Sequence, residues 1–417
     1  MAKSKIIAAI DIGSSKVATL VAQVRDEEES RLHIVGAASA VSRGIRKGQI
    51  VNIEEAVSAI EESIGAAERM AGYNISKAVV SIGGAHIGSI NSQGVVAVAQ
   101  PQGEVVAQDV HRVMEAARAV SLPTSTEIIH VIPRSFTVDG QEGVKDPVGM
   151  TGVRLEVATH LVTGSTTAIR NLTKCVAEVG CDVEEIVFGG LASAAAVLSD
   201  TEKELGVVLV DIGGGTTDVA IFVEGALSHS AVLPVGAKNV TNDLAIGLRV
   251  SLESAEKIKL ALGGVKPKED DVDLSGIGLT EEINAVSYKT LVEGIIRPRL
   301  NELFTMVAGE VRKSGFAGLT PSGLVICGGG AQTVGIVESA KRTLSAPVRV
   351  GIPTNITGLI DDIENPAFAT SVGLLKFALS GANEGTSHNK SRSGGGDRMA
   401  IAGMWGKISD LAKSLLP

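Results

Sequence analysis

Aromatic residues are scarce in this sequence, and no stretch of it is strongly basic. Phe, Trp and Tyr together make up 2% of the 417 residues, while the hydrophobic fraction is 44%. Any core must therefore consist mainly of Ala, Val, Ile and Leu, which suits helices packed on a parallel or mixed sheet. The net charge of -9 at pH 7 argues against a nucleic-acid-binding surface. Because of the chain's length, we expect two or more domains.

Cysteines are few, and long apolar runs are missing. Cys175, Cys181 and Cys327 form no C-x-x-C pair and have no nearby histidine, which argues against a zinc site. We expect free, partly buried thiols in a reducing compartment. No apolar run approaches the ~18 residues that a membrane-spanning helix needs, and the apolar stretch before Asp11 is too short for a signal peptide. These absences predict a cytosolic chain.

An Asp-Ile-Gly opening occurs twice, each time at the end of an apolar run. Residues 11–17 are DIGSSKV and residues 211–219 are DIGGGTTDV, and apolar, strand-like segments flank both turns. A helical apolar spacing follows the first copy, with Asn52 as the expected N-cap and Gly72 as the expected C-cap. Internal duplication is the simplest account, and it predicts two similar lobes that face each other across a cleft.

The residue types in the paired turns suit a phosphate ligand. Gly213, Gly214 and Gly215 let the backbone approach a ligand closely, and a run of free N–H groups forms an anion-binding nest. Lys16 supplies a positive charge suited to a β- or γ-phosphate. Hydroxyl donors come from Ser14, Ser15, Thr216 and Thr217.

Asp11 and Asp211 stand at the ends of the two strands, where carboxylates can hold a hydrated Mg²⁺ between the turns. One such turn alone would be an ordinary tight hairpin. Two copies, each with an acidic strand end, favour phosphate binding. The chain lacks the G-x-x-x-x-G-K-[ST] pattern, so the site is not a P-loop.

Two further stretches, ICGGGAQ at 326–332 and NPAFATSVGLL at 365–375, follow the hairpins in chain order. With them, the chain resembles the actin, heat-shock-chaperone and sugar-kinase ATPase superfamily. Within that superfamily it is similar to the FtsA family of bacterial cell-division proteins. The specific supports are PVGMTGVRLEV, FGGLASAAAVL, NITGL and the C-terminal tail. The resemblance extends from residue 5 to about 380 and includes the last fifteen residues.

The resemblance implies ATP and Mg²⁺ as ligands and assigns residues to them. The first phosphate loop would comprise Asp11, Gly13, Ser14, Ser15 and Lys16; the second, Asp211, Gly213, Gly214, Gly215, Thr216 and Thr217; and the wall against adenine, Gly328, Gly329, Gly330 and Ala331. Asp11 and Asp211 would hold the metal. Glu256 and Lys259, which share one helix face at i, i+3 spacing, would reach ribose and base. A solvated salt-bridge face is the alternative for that pair.

The implied fold is α/β: an actin-like two-lobed ATPase fold with duplicated, ribonuclease-H-like lobes, an inserted small subdomain and a C-terminal amphipathic helix. The implied segments are the first lobe core (1–81, 162–196 and a closing helix at 365–380), the inserted small subdomain (82–161), the second lobe core (197–240 and 301–364), the second small subdomain (241–300), a flexible linker (381–399) and the terminal helix (400–417).

One departure from the superfamily bears on catalysis. Fast-hydrolysing relatives carry a carboxylate in an E-P-x-A-A-A pattern near the attacking water, whereas the matching stretch here is LASAAA, with Leu191 at the carboxylate position. A missing general base commonly costs ~10²–10⁴-fold in rate. We therefore expect tight ATP binding and at most slow ATPase activity.

The C-terminal tail combines a linker rich in Gly, Ser and Asn with an amphipathic segment. The apolar stripe of that segment comprises Ile401, Met404, Trp405, Ile408, Leu411 and Leu415. Such a helix commonly docks on its own core. The flexible linker and the interfacial preference of Trp favour membrane attachment instead, which is also what the resemblance implies.

The leading hypothesis is a nucleotide-gated protein that polymerises on the cytoplasmic face of the membrane at the division site. There it would tether filaments of the tubulin-like FtsZ and meet other division proteins. Arg297 and Arg299 are the candidate contacts for the FtsZ C-terminal tail, and ordinary surface charge is the alternative for them. A small-molecule kinase, a peptide-binding chaperone and a related cytoskeletal protein such as MreB are the rival functions.

Overall fold

The computed structural model describes residues 5–24, 31–99, 103–263, 271–281, 285–359 and 363–384. The amphipathic helix predicted at 400–417 lies outside these residues, as does the linker beyond residue 384. The final helix ends at Glu384, so it extends into the segment that the sequence assigned to the linker. None of the helices in the described ranges is both long and apolar enough to cross a membrane.

Groups of strands are separated by helices along the described chain. The strands are β1 (Lys5–Ile12), β2 (Lys16–Val24), β3 (Leu32–Val41), β4 (Ile45–Arg46), β5 (Gln49–Ile50), β6 (Lys77–Ile82), β7 (Gly88–Ala97), β8 (Thr126–Val138), β9 (Gln141–Val144), β10 (Arg154–Ser165), β11 (Asp182–Phe188), β12 (Val207–Ile212), β13 (Thr217–Val223), β14 (Ala226–Leu233), β15 (Asp271–Asp273), β16 (Ala285–Ser287), β17 (Leu324–Cys327), β18 (Val348–Val350) and β19 (Ile356–Gly358). The α-helices are α1 (Ile53–Ala71), α2 (Ala107–Arg118), α3 (Thr166–Glu178), α4 (Gly189–Val197), α5 (Asp200–Leu205), α6 (Ala237–Leu248), α7 (Leu252–Gly263), α8 (Arg297–Lys313), α9 (Ile336–Leu344) and α10 (Ala369–Glu384). Short 3₁₀ turns span Ser275–Ile277, Gly329–Gln332 and Pro366–Phe368, and a π-helical segment, Lys289–Ile296, runs directly into α8.

The first lobe is a six-stranded sheet in the order β11-β6-β1-β2-β3-β19 with helices packed on it. Its central strands β1 and β2 are largely buried, which explains their nearly continuous runs of Ala, Val, Ile and Leu. Helix α1 has the predicted ends: the Asn52 side chain accepts a hydrogen bond from the Glu55 N–H, and Gly72 adopts φ 73°. Gly36 of β3 lets α1 approach closely, because a Cβ there would lie 2.7 Å from the carbonyl oxygen of Ala67.

The second lobe repeats this architecture around a five-stranded sheet in the order β14-β13-β12-β17-β18. Its hairpin β12–β13 is antiparallel and β17 runs parallel to β12, as β6 runs parallel to β1 in the first lobe. The order β3-β2-β1-β6-β11 therefore has the same pattern as β14-β13-β12-β17-β18. The predicted duplication into two α/β lobes is confirmed.

An inserted subdomain lies between β6 and α3 of the first lobe. Its four-stranded sheet, in the order β7-β10-β8-β9, packs against α2 around a separate apolar core. Its side chains also reach the second lobe: Ser89 Oγ donates to the carbonyl oxygen of Ser230 at 2.7 Å, and Asn91 Nδ2 donates to that of Ser228 at 3.3 Å. His160 is buried at this contact, 2.9 Å from Ser230 Oγ, and burial lowers its pKa to about 3. The insertion thus bridges the two lobes.

The lobes are also joined just after α4, where the chain passes from the first lobe to the second. Arg349 of β18 makes two hydrogen bonds of 2.7 Å to the Glu202 carboxylate and one of 2.8 Å to the carbonyl oxygen of Val197. Hydrogen bonding from Arg349 is the main reason that the pKa of Glu202 falls to about 2. This arginine therefore fixes the C-terminal end of α4 against the second lobe.

Candidate functional site

The two Asp-Ile-Gly turns have the same local geometry. In the first, the Gly13 N–H donates to the carbonyl oxygen of Lys16 at 3.0 Å; in the second, the Gly213 N–H donates to that of Thr216 at 2.9 Å. Each hydrogen bond closes a tight turn between two antiparallel strands. The duplicated sequence therefore folds into two matching hairpins.

The tips of these turns are in contact across the lobes. A Cβ on Gly214 would lie 1.8 Å from Ser15 Oγ, and one on Gly215 would lie 2.9 Å from Ser14 Oγ. Only residues without side chains permit this approach. The structure therefore brings the serines of the first turn against the glycines of the second.

Lys238, at the start of α6, connects the second lobe to the first turn. Its Nζ donates to the carbonyl oxygen of Ser14 at 2.7 Å, while its N–H donates to that of Gly214 at 2.9 Å. The Ser14 hydroxyl is also engaged, since it accepts from the Gly48 N–H at 2.8 Å. Sequence reasoning missed Lys238, because a lysine in the first turn of a helix carries no signal of a contact to a distant hairpin.

Asp11 is the penultimate residue of β1, beside the contact between the turns. It accepts a hydrogen bond from Ser81 Oγ at 2.8 Å, and the same hydroxyl accepts from the Ile12 N–H at 2.9 Å. Burial raises the pKa of Asp11 to about 6, against the lowering effects of Ser81 and Lys16. The charged form of this carboxylate is therefore held at an electrostatic cost.

Asp211, the penultimate residue of β12, has the corresponding place in the second lobe. Its Oδ2 accepts from Ser193 Oγ, and from Thr370 Oγ1 at 3.1 Å. Burial raises the pKa of this carboxyl as well. Since Ser193 and Thr370 belong to α4 and α10 of the first lobe, Asp211 is held by hydroxyls from across the lobe boundary.

Asp218, the second aspartate of DIGGGTTDV, is a third buried carboxylate, and the sequence pattern alone assigns it no role. It lies opposite Asp211 in the β12–β13 register, and its Oδ1 has no hydrogen-bond partner among the described residues. Burial, followed by the charges of Asp211 and Asp11, raises its pKa well above the usual value. The strand register was the signal that could have found it, because a tight turn places these two residues face to face.

Leu191 lies in the first turn of α4, close to Asp218. The neighbouring Gly190 would place a Cβ 3.3 Å from the Asp218 Cβ, and the Gly190 backbone hydrogen-bonds the Asp218 carboxyl group. An acidic group therefore lies next to the position where the LASAAA stretch lacks one. Asp218 is therefore a candidate for the general base that the LASAAA stretch lacks.

Lys16 begins β2 and extends towards these carboxylates. Burial lowers its pKa, while Asp11 and Asp211 oppose that shift. Its ammonium lies 3.5 Å from the centroid of the Phe368 ring. The Lys16 ammonium, which the sequence predicts to bind phosphate, therefore lies where both lobes and the segment before α10 meet.

The donor set suits a hard cation that retains water. The described part of the chain contains no group of three or more His, Cys, Asp or Glu side chains able to hold a metal by itself. Mg²⁺ is typically bound by one or two carboxylates, with the remaining ligands from water and substrate phosphates. Asp11 and Asp211 fit that pattern, and the unpartnered oxygen of Asp218 adds an acceptor nearby.

Thr217 has a different position from the other turn residues. Its hydroxyl is buried and donates to the carbonyl oxygen of Val235 at 2.8 Å. The hydroxyl predicted as a ligand donor is thus used to attach β13 to the segment before α6.

Glu256 and Lys259 lie together on α7. Lys259 Nζ donates to Glu256 Oε2 at 2.7 Å, and both side chains contact the Thr241 hydroxyl on α6. The far end of this helix approaches the Gly-rich turn after β17, since a Cβ on Gly263 would lie 3.1 Å from the carbonyl oxygen of Gln332. The pair is therefore on the helix that borders the predicted adenine wall.

The predicted adenine wall, Gly328–Ala331, is packed tightly against the second hairpin. Gly328 has φ +80°, and a Cβ there would lie 2.2 Å from Asp211 Oδ1. Gly330 is similarly close to the Ile212 side chain. The turn thus needs glycine at both positions in order to lie beside the metal-binding candidate.

Both arginines proposed as partner contacts form ion pairs within the chain. Arg297 pairs with Glu293 on the preceding turn. Arg299 Nε lies 2.6 Å from Asp243 Oδ2, and the same guanidinium also pairs with Glu302. Arg299 therefore links α8 to α6, in addition to any role at the surface.

The raised pKa of Asp11 gives a pH-dependent stability. The folded state binds this proton more tightly than the unfolded chain, so its contribution to stability is present below pH ~4 and lost as pH rises through about 6. We expect Asp11→Asn to raise the free energy of unfolding of the ligand-free protein by about 2 kcal/mol more at pH 7.5 than at pH 4.5.

Urea denaturation without Mg²⁺ or nucleotide, at the two pH values, measures this effect. The exposed Asp182 offers a matched control, because Asp182→Asn removes a carboxylate from the surface of the same sheet. A gain for Asp11→Asn that is equal at both pH values would contradict the expectation.

The fold and the site define the class: a two-lobed protein with the actin-like ATPase fold. Among solved structures, the chain is similar to the PilM-PilN type IV pilus biogenesis complex, with a TM-score of 0.64, 15% identity and coverage of 88% of this chain and 97% of that one. It is also similar to MreB 5 of Spiroplasma citri bound to AMPPNP, with a TM-score of 0.55, 15% identity and coverage of 92% and 99%. At such identities the likeness shows the fold alone.

The sequence comparisons are more specific. Residues 84–163 match the family described as the SHS2 domain inserted in FTSA, and residues 208–373 match the family described as cell division protein FtsA. Cell division protein FtsA of Pseudomonas aeruginosa is 43% identical over 397 residues, covering 93% of both chains. That of Escherichia coli K12 is 36% identical and covers 89% of this chain and 90% of its own.

The chain belongs to the FtsA family of cell-division proteins. The kinase, the chaperone and MreB, which the sequence analysis kept as rivals, are thereby set aside as family assignments.

Proposed function

We propose that this protein binds Mg²⁺-ATP between its two turns and uses the bound nucleotide to hold the lobes together. The single observation that carries this proposal is the contact of the turns, where Ser15 meets Gly214 while Asp11, Asp211 and Lys16 converge. Acidic groups and a cation are thus present together at this junction, as a metal-bound triphosphate requires.

The chemistry of each group at this junction suits one part of the Mg²⁺-ATP ligand. The backbone N–H groups of the turns and Lys16 bind phosphate oxygens, and Asp11 and Asp211 hold a hydrated Mg²⁺. Bound Mg²⁺ would neutralise phosphate charge. Glu256, Lys259 and the Gly328–Ala331 turn would hold the nucleoside.

Nucleotide binding would act on the contacts between the lobes. Lys238 bonds to the backbone of the first turn, and the buried carboxylates repel one another. A cation between the carboxylates would remove that repulsion and favour the closed lobes. Closure would fix the relative orientation of the surfaces through which copies of the chain associate into filaments.

We further propose that the protein works as a peripheral tether on the cytoplasmic face of the membrane at the division site. The support is the apolar stripe of the tail, which comprises Ile401, Met404, Trp405, Ile408, Leu411 and Leu415. One short helix binds lipid weakly, so attachment would depend on several tails in one filament acting together.

The FtsZ C-terminal tail would dock on the second small subdomain near Arg297 and Arg299, and other division proteins would join the assembly. Because both guanidinium groups are paired with carboxylates of the chain, an acidic peptide would have to displace Glu293 or Glu302 to reach them. Such competition favours a weak, reversible contact.

Deletion of residues 401–417 tests the tether. The intact protein is expected to sediment with vesicles of anionic phospholipid in the presence of ATP and to carry FtsZ with it. The truncated protein should lose at least about 90% of this lipid-bound fraction, because the apolar area that inserts is gone.

A full-length variant with Lys407→Gln and Lys413→Gln provides the control, since it alters the polar side of the tail and leaves the stripe intact. Equal sedimentation of the truncated and intact proteins would rule out the tail as the anchor. ATP retained through purification tests the nucleotide proposal separately.

A further inference from the structure

The segment immediately before α10 contacts both lobes at the nucleotide site. Asn365 caps its 3₁₀ turn by accepting from the Ala367 N–H at 2.9 Å. The carbonyl oxygen of Pro366 accepts from the Gly328 N–H at 2.9 Å, which fixes the turn to the predicted adenine wall. The segment is thus anchored to the second lobe before it enters the last helix of the first.

Two side chains of this segment contact the site itself. The Thr370 hydroxyl donates to Asp211 at 3.1 Å and lies 3.0 Å from Ser193 Oγ. Two residues earlier, the ring of Phe368 lies under the Lys16 ammonium, 3.5 Å from ring centroid to Nζ. The ring is only half-buried and also packs against the first-lobe core. One short segment therefore contacts the metal-binding candidate and the phosphate-binding candidate together.

The surroundings of Lys16 explain why a ring is useful there. Asp11 and Asp211 both attract the ammonium. An ammonium paired closely with either carboxylate would occupy the place of a cation and would be turned away from phosphate. An aromatic face attracts a cation through its quadrupole without carrying a charge, so it can hold the ammonium and still yield it to a stronger anionic partner.

We propose that Phe368 is a positioning residue for Lys16: its ring holds the ammonium at the junction of the two turns, ready for the β- and γ-phosphates. The inference rests on the proposed binding of Mg²⁺-ATP. In this role Phe368 acts through Lys16. Its loss should therefore affect ligands that carry these phosphates and spare those that lack them.

The experiment measures equilibrium binding of Mg²⁺-ATP and of adenosine to the full-length protein. Phe368→Leu removes the ring, Phe368→Tyr retains it, and Lys16→Met removes the cation. We expect Phe368→Leu to weaken ATP binding by about tenfold and to leave adenosine binding unchanged, and we expect Phe368→Tyr to bind ATP as the wild type does. In the Lys16→Met background, Phe368→Leu should cause no further loss.

Phe377→Leu is a matched control, because it makes the same change in a buried ring further along α10. Thermal unfolding of each variant checks its fold. The inference is overturned if Phe368→Leu binds ATP normally, if it weakens adenosine equally, or if its effect persists without Lys16. A wild-type protein that binds no Mg²⁺-ATP would overturn the proposed function as well, and that outcome is distinct from the other three.

Discussion

Gly214→Val is expected to weaken Mg²⁺-ATP binding by at least about 100-fold, which corresponds to about 2.7 kcal/mol. The first atom of any side chain at this position would lie 1.8 Å from Ser15 Oγ and 2.8 Å from its Cβ. Rotation of the Ser15 side chain moves its Oγ but leaves the 2.8 Å contact with its Cβ, so the two turns would have to separate. Separation would break the site into two halves, neither of which can enclose a triphosphate.

The measurement is nucleotide affinity by equilibrium titration, with urea denaturation to confirm that the variant folds. Gly318→Val is the control, since a Cβ at Gly318 meets nothing within 4 Å and its φ lies outside the left-handed region. The control should bind ATP normally. Unchanged affinity in Gly214→Val would mean that ATP does not require the contact between the turns.

Asp218→Asn is expected to lower the residual ATPase rate by about 10²-fold while ATP affinity changes much less. Asp218 has an unpartnered oxygen and a strongly raised pKa, and it lies beside the α4 turn that carries Leu191. These are the properties of a group that can accept a proton from water or orient it. An amide keeps the shape but loses the basic oxygen.

Single-turnover hydrolysis separates this chemical step from binding. We expect the wild-type rate itself to be far below that of a chaperone ATPase, because the resemblance places Leu191 where fast-hydrolysing relatives carry a carboxylate. Asp182→Asn is again the surface control. If Asp218→Asn hydrolyses ATP as fast as the wild type, Asp218 has no part in the reaction, and positioning by the turns accounts for the whole rate.

Local sequence signals were sufficient for the framework of the fold. The repeated Asp-Ile-Gly opening predicted two matching hairpins, and the residues at 52 and 72 predicted both ends of α1, because caps and tight turns depend on a few adjacent residues. The duplication then followed from the order of these pieces. The position of β19 depends instead on long-range pairing, because this strand joins β3 at the edge of the first sheet although more than 300 residues separate them.

The contacts within the site were harder to obtain from sequence. Lys16 and Phe368 are far apart in the chain, and neither residue type alone indicates the other. Asp218 was easier to find from sequence, since the register of a tight hairpin pairs it with Asp211. The first hairpin has Ala18 opposite Asp11. The two hairpins are therefore alike in backbone and different in charge. The ion pair of Arg299 with Asp243 depends on how α6 and α8 pack, which no local pattern specifies, whereas Arg297 and Glu293 form a local i, i+4 pair.

The contact between the inserted subdomain and β14 has a consequence for self-association. β14 is the terminal strand of the second sheet, and unpaired strand edges are places where identical chains join by backbone pairing. Ser89 and Asn91 occupy carbonyl oxygens of that strand from outside. Because the molecule itself covers part of this edge, we expect that copies of the chain would meet here through side-chain surfaces and not by adding strands. Side-chain contacts of this kind form and dissociate reversibly, unlike the continuous sheets of amyloid.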